Sequence, residues 1–80
     1  MTMSDKKRIK ELNEMIDAIL IAISQEVKAN RLYIEMGNKA KSESSKKMFD
    51  YLAMQEKLHE NKLKLLLERF QKERDELVRK

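Results

Sequence analysis

Apolar residues recur along this chain at alternating spacings of three and four, in two long runs. The first run is Ile9, Leu12, Ile16, Ile19, Ile23, Glu26, Asn30, Tyr33, Gly37 and Ala40. The second is Phe49, Leu52, Glu56, His59, Leu63, Leu66, Phe70, Glu73 and Leu77. Residues so spaced share one face of an α-helix, and a repeat held this long is a heptad seam. Leu20, Val27 and Ile34 widen the first stripe on one flank, as a bundle helix requires. Proline is absent and Gly37 is the only glycine, so neither run carries a strong helix breaker. The chain is therefore all-α.

Lys41-Ser42-Glu43-Ser44-Ser45 separates the two runs. Its serines suit a helix N-terminus, because a hydroxyl accepts from otherwise unpaired backbone N–H groups. The spacing predicts one helix over about 4–40 and a second over about 45–79, within a single hairpin domain spanning 1–80. So short a connection makes the helices antiparallel neighbours. Closing the hairpin there sets Ile9 opposite Leu77, Ile16 opposite Phe70, Ile19 opposite Leu66 and Ile23 opposite Leu63. Glu26 then faces His59, Asn30 faces Glu56, Tyr33 meets Leu52, and Gly37 meets Phe49.

The polar seam residues thus fall in two adjacent layers between layers of hydrocarbon. Burying an unpaired charge costs several kcal/mol, so Glu26, Glu56 and His59 need a compensating partner. A metal ion is one that accepts carboxylate oxygen and imidazole nitrogen together. Two helices cannot bury a stripe this wide, and a chain this short gains from oligomerisation. The hairpin is expected to dimerise into a four-helix bundle. Doubling the set gives four glutamates and two histidines, the ligand formula of di-iron carboxylate bundles. Four carboxylates also neutralise two divalent ions, which offsets the desolvation that opposes burial.

Glu26-Val27-Lys28-Ala29 with Tyr33 and Ala40, then Phe49, Leu52-Ala53, Glu56 and His59, resembles the first half of a rubrerythrin or ferritin-like domain. The two-helix format and the gap from Glu26 to Glu56 are similar to encapsulated ferritins, whose site is assembled between two chains. The resemblance covers roughly residues 19 to 63. It implies that Glu26, Glu56 and His59 are the catalytic iron ligands, with Glu56 able to bridge two Fe ions in each dimer site. It implies a ferroxidase or peroxidase-type oxidoreductase acting on Fe(II) with O₂ or peroxide, in iron handling or oxidative-stress defence. Tyr33 becomes a donor that orients a ligand carboxylate of the partner chain, and Asn30 either supports the ligands or sets the register. The chain lacks the second ligand-bearing helix pair, so the site must be intermolecular, and with no cysteine it has no rubredoxin-like electron donor.

Other features bound this reading. The donor set accepts manganese or zinc as well as iron. A non-catalytic metal-binding module and a metal-free coiled-coil adaptor are the alternatives. The net charge of +4 is spread over clusters at Lys6-Lys7-Arg8-Lys10 and Lys39-Lys41-Lys46-Lys47. Without a nucleic-acid-binding module or aromatic platform they read as solvated helix surface, so no nucleic-acid partner is expected. Ala18-Ile19-Leu20-Ile21-Ala22-Ile23 is far shorter than a membrane span. The expected location is cytoplasmic, or inside a protein compartment, although Gln71 to Lys80 is too charged for a typical compartment-targeting tail. The methionines are core filler, because thioethers suit Cu(I) rather than a carboxylate site. Glu35 and Glu60 are expected to face outward, and Glu73 to be solvated near the open end. A two-fold axis through the site would leave those open ends overhanging by ~16 Å, so a higher oligomer is also expected.

Overall fold

The computed structural model describes all 80 residues as two helices, α1 (Met3–Lys39) and α2 (Glu43–Val78), with no strand. They pack side by side as a rod of 60 × 14 × 13 Å. Each end of the rod follows from local chemistry. Thr2 caps α1: its hydroxyl accepts from the Asp5 N–H at 3.0 Å, while Asp5 accepts from the Thr2 N–H at 3.2 Å. This reciprocal box satisfies two backbone donors that a helix start leaves unpaired. Ser42 caps α2 by accepting from the Ser45 N–H at 3.1 Å. The second helix therefore begins at Glu43 rather than near Ser45, because the cap is supplied one turn earlier. Ala40 leaves α1 in an extended conformation, with its N–H donating to the Gly37 carbonyl. No residue in the connection needs a positive φ.

The seam holds the expected register where contacts fix it. A Cβ on Gly37 would stand 3.5 Å from the Phe49 Cβ and 3.1 Å from an Asp50 oxygen. Gly37 thus sits in contact range of the start of α2 beside the loop, and a methyl there would need only a small shift of the Asp50 side chain. Leu12 is fully buried and Ile16 nearly so. No helix is long and apolar enough to cross a membrane.

The face that α2 presents to α1 differs in one respect from the heptad reading. Ala53 and Glu60 are buried, while Leu66 remains 40% exposed. The helix is rotated toward its Ala53–Glu60 edge. Glu60, expected to face outward, is therefore turned inward and held by two lysines: Lys64 Nζ lies 2.6 Å and Lys57 Nζ 3.3 Å from the same oxygen, Oε2. Residues three and four apart on a helix can converge on one carboxylate in this way. Only five of the 80 residues are buried, so a hairpin of this width leaves much of each stripe uncovered. Leu20, Ile34, Met36, Met48 and Leu66 are each 40–50% exposed.

At the open end a charged pair adds to the packing around Leu12. Arg8 Nε donates to Glu73 Oε2 at 2.6 Å and its Nη2 to Oε1 at 3.2 Å, while Nη1 pairs with Glu11. Glu73, expected to be solvated, is 41% exposed at its side chain and is also paired across the helices. The Arg8 guanidinium holds the Glu73 carboxyl below its ordinary value, despite opposing desolvation. A lowered folded-state value contributes stability above the ordinary carboxylate range, and that contribution is lost as pH falls through the folded value. Acidification below about pH 4.5 should therefore fray this end first. Amide exchange near Arg8 and Glu73 should accelerate there, and Glu73→Gln should remove the pH dependence. Equal protection at pH 3 and pH 6 would contradict it.

Candidate metal centre

Glu26 on α1 and Glu56 and His59 on α2 are brought together by the register. Each offers one ligand atom, and these atoms lie within 4.8 Å of one another. Donors bonded to a single ion at ~2.1 Å sit no more than ~4.2 Å apart, so modest side-chain rotations close the set. His59 Nδ1 is 3.5 Å from Glu26 Oε2. The three differ in exposure: Glu26 is 24% exposed at its side chain and His59 51%. The rotation of α2 toward Glu60 is what swings His59 outward.

The electrostatics of the group are unresolved in a way that suits a cation. Glu26 Oε2 is buried and has no hydrogen-bond partner. Glu56 is held above its ordinary 4.5, first by the close approach of the Glu26 carboxylate, then by loss of hydration and by the Glu26 charge, with His59 opposing. An orphaned buried oxygen, a carboxyl that resists ionisation and an imidazole together fit a hard divalent ion.

The pH consequence runs opposite to that of Glu73. A carboxyl raised on folding binds its proton more tightly in the folded state. Its stabilising contribution is complete at low pH and is lost as pH rises through the raised value. The Glu56→Gln variant should gain Tm relative to the metal-free wild type as pH rises from about 4.5 toward neutrality, a difference that isolates Glu56 from the carboxyls held low elsewhere. A Glu56→Gln variant whose Tm follows that of wild type in parallel over this interval would contradict the raised Glu56 carboxyl.

Asn30 and Tyr33, the two residues expected beside the ligands, make these contacts within the chain. Asn30 does not meet the Glu56 side chain; its Nδ2 donates to the Ala53 backbone carbonyl at 2.7 Å. Tyr33 is half-buried, and its hydroxyl makes no hydrogen bond within the chain. Sequence reasoning missed Arg8 as the partner of Glu73, because seam periodicity says nothing about a long flexible side chain. It missed the Lys57–Glu60–Lys64 cluster too, although three- and four-residue charge spacing was a readable signal.

Antiparallel helices bearing two carboxylates and an imidazole on one seam define a helical carboxylate–histidine protein. A family model described as Rubrerythrin matches residues 17–80, which include all three residues. The chain belongs to the rubrerythrin family, whose members typically bind iron. No curated protein and no solved structure matches it.

Proposed function

We propose that two copies of this chain pair into a four-helix bundle, bind two iron ions between their Glu26–Glu56–His59 groups, and oxidise Fe(II) with O₂ or peroxide. The observation that carries this reading is the three-residue convergence around an orphaned, buried carboxylate oxygen. A second copy supplies what one chain lacks: two more carboxylates, a second imidazole and cover for the exposed aliphatic stripes. Left open, those stripes would form a patch that monomeric proteins rarely carry.

Each residue has a distinct task. Glu26 and Glu56 would neutralise cationic charge at the level of the seam. His59 contributes the nitrogen donor from the outward edge of α2, where a partner would approach. The Tyr33 hydroxyl, unengaged within its own chain, is free to donate to a ligand carboxylate of the other copy and so orient it. Two Fe(II) ions held by these residues would supply two electrons to one oxidant molecule. With peroxide the balance is two Fe(II) oxidised, two protons consumed and two waters formed.

The test joins stoichiometry to assembly. Anaerobic Fe(II) titration followed by air should plateau near one iron per chain, and light scattering at micromolar concentration should report a dimer or a larger even-numbered oligomer. A plateau far from one iron per chain, or a monomer that still oxidises Fe(II), would overturn the proposal.

A further inference from the structure

Asn30 is the one side chain that ties α1 to a backbone atom of α2. Its Nδ2 donates to the Ala53 carbonyl at 2.7 Å, in a part-buried setting. Asn30 lies one turn beyond Glu26 on α1, and Ala53 lies three residues before Glu56 on α2. The bond is therefore one layer from the ligand group, on the same helix faces. The other cross-helix hydrogen bonds, Arg8 to Glu73 and Arg74 to Asn13, join flexible side chains at the far, open end.

A bond to the main chain fixes the helix itself rather than a rotamer. The Ala53 carbonyl has two lone pairs, so it can accept from Asn30 and remain in the α-helical ladder. Ala53 is small and only 7% exposed, which leaves room for the amide to reach the carbonyl. Apolar seams alone fix height poorly: one residue of slip is ~1.5 Å, whereas metal–ligand distances tolerate only ~0.2 Å. Something near the site must set the height and rotation of α2 more finely than packing does.

We propose that Asn30 is a positioning residue: by holding the Ala53 carbonyl, it fixes the α2 turn carrying Glu56 and His59 against Glu26. This rests on the metal-binding reading above. The competing role is a seam asparagine that only selects the fold or the oligomer, and it makes a different prediction for metal binding in variants that stay folded.

The experiment uses Co(II) as an optical probe on wild type, Asn30→Leu, Asn30→Ala and Leu12→Ala, with oligomeric mass and Tm measured for each. Asn30→Leu keeps the seam filled, so lost affinity there is not lost fold, and Asn30→Ala serves if leucine does not fit. Leu12→Ala lowers stability about 20 Å along α1 from Glu26 and controls for general loosening. Wild type should bind near one Co(II) per chain. The Asn30 variants should bind about 10- to 100-fold more weakly, with shifted d–d bands, while Leu12→Ala binds like wild type below its Tm. Wild-type affinity and bands in both Asn30 variants would overturn the positioning role and leave the metal site standing. Equal weakening in Leu12→Ala would overturn it as well, by assigning the effect to stability. Absence of Co(II) binding in wild type would instead remove the metal-site reading, and this inference with it.

Discussion

Glu56→Ala should lose iron loading and keep its fold. In the two-fold assembly proposed, one substitution removes two of four carboxylates at once. Supporting residues around metal ligands already cost about 10- to 100-fold when removed, so losing a pair of ligands should lower Fe(II) oxidation by at least ~100-fold. The melting temperature of the metal-free protein should not fall with it. Glu56 sits against Glu26, and its carboxyl resists ionisation for that reason; alanine at that position relieves like-charge repulsion and improves local helix propensity. Loss of binding with a retained or raised Tm separates a ligand from a structural residue. Calorimetry and iron titration on one preparation read both. Wild-type loading in the alanine variant would remove Glu56 from the site.

The second large effect is expected at Leu12, the only large side chain with no exposed surface. Buried Leu→Ala substitutions cost about 2–5 kcal/mol, depending on how far the surroundings collapse. Domains of this size hold ~5–15 kcal/mol in total, and each kcal/mol moves Tm by roughly 4–8 °C. Leu12→Ala should therefore lower Tm by ~10 °C or more, measured by circular dichroism at fixed protein concentration. A shift below ~3 °C would mean that the open end is held by Arg8 and Glu73 rather than by packing. Below its Tm the variant should still bind metal, because the site is several turns away.

Much of this was legible in the heptads. Two interrupted runs and a serine-rich join sufficed for the hairpin, and the register that set Glu26 opposite His59 and Gly37 opposite Phe49 agrees with the contacts observed. The first helix starts one residue before the seam alone suggests, because Thr2 and Asp5 cap it, and seam periodicity carries no signal of that pair. What escaped was rotation. Ala53 and Glu60 lie on the edge of the seam, a fraction of a turn from Leu52 and His59. Which edge turns inward depends on total packing, and spacing does not encode that. Asn30 escaped for a related reason: register put it level with Glu56, but an amide can reach a carboxylate or a main-chain carbonyl from the same height. The grouping of Glu26, Glu56 and His59 was legible because two independent seams, read separately, placed their polar residues at one depth.

The hairpin is 60 Å long and about 14 Å thick, and a rod of those proportions has no centre. Nearly every side chain lies one layer from water, and a single copy leaves His59 half exposed. If the site forms between copies, its existence is set by mass action as much as by sequence. Tm and metal affinity then depend on protein concentration, and dilution alone dismantles the centre without altering a residue. Expression level becomes a control variable: halving the number of chains in a cell removes more than half of the sites.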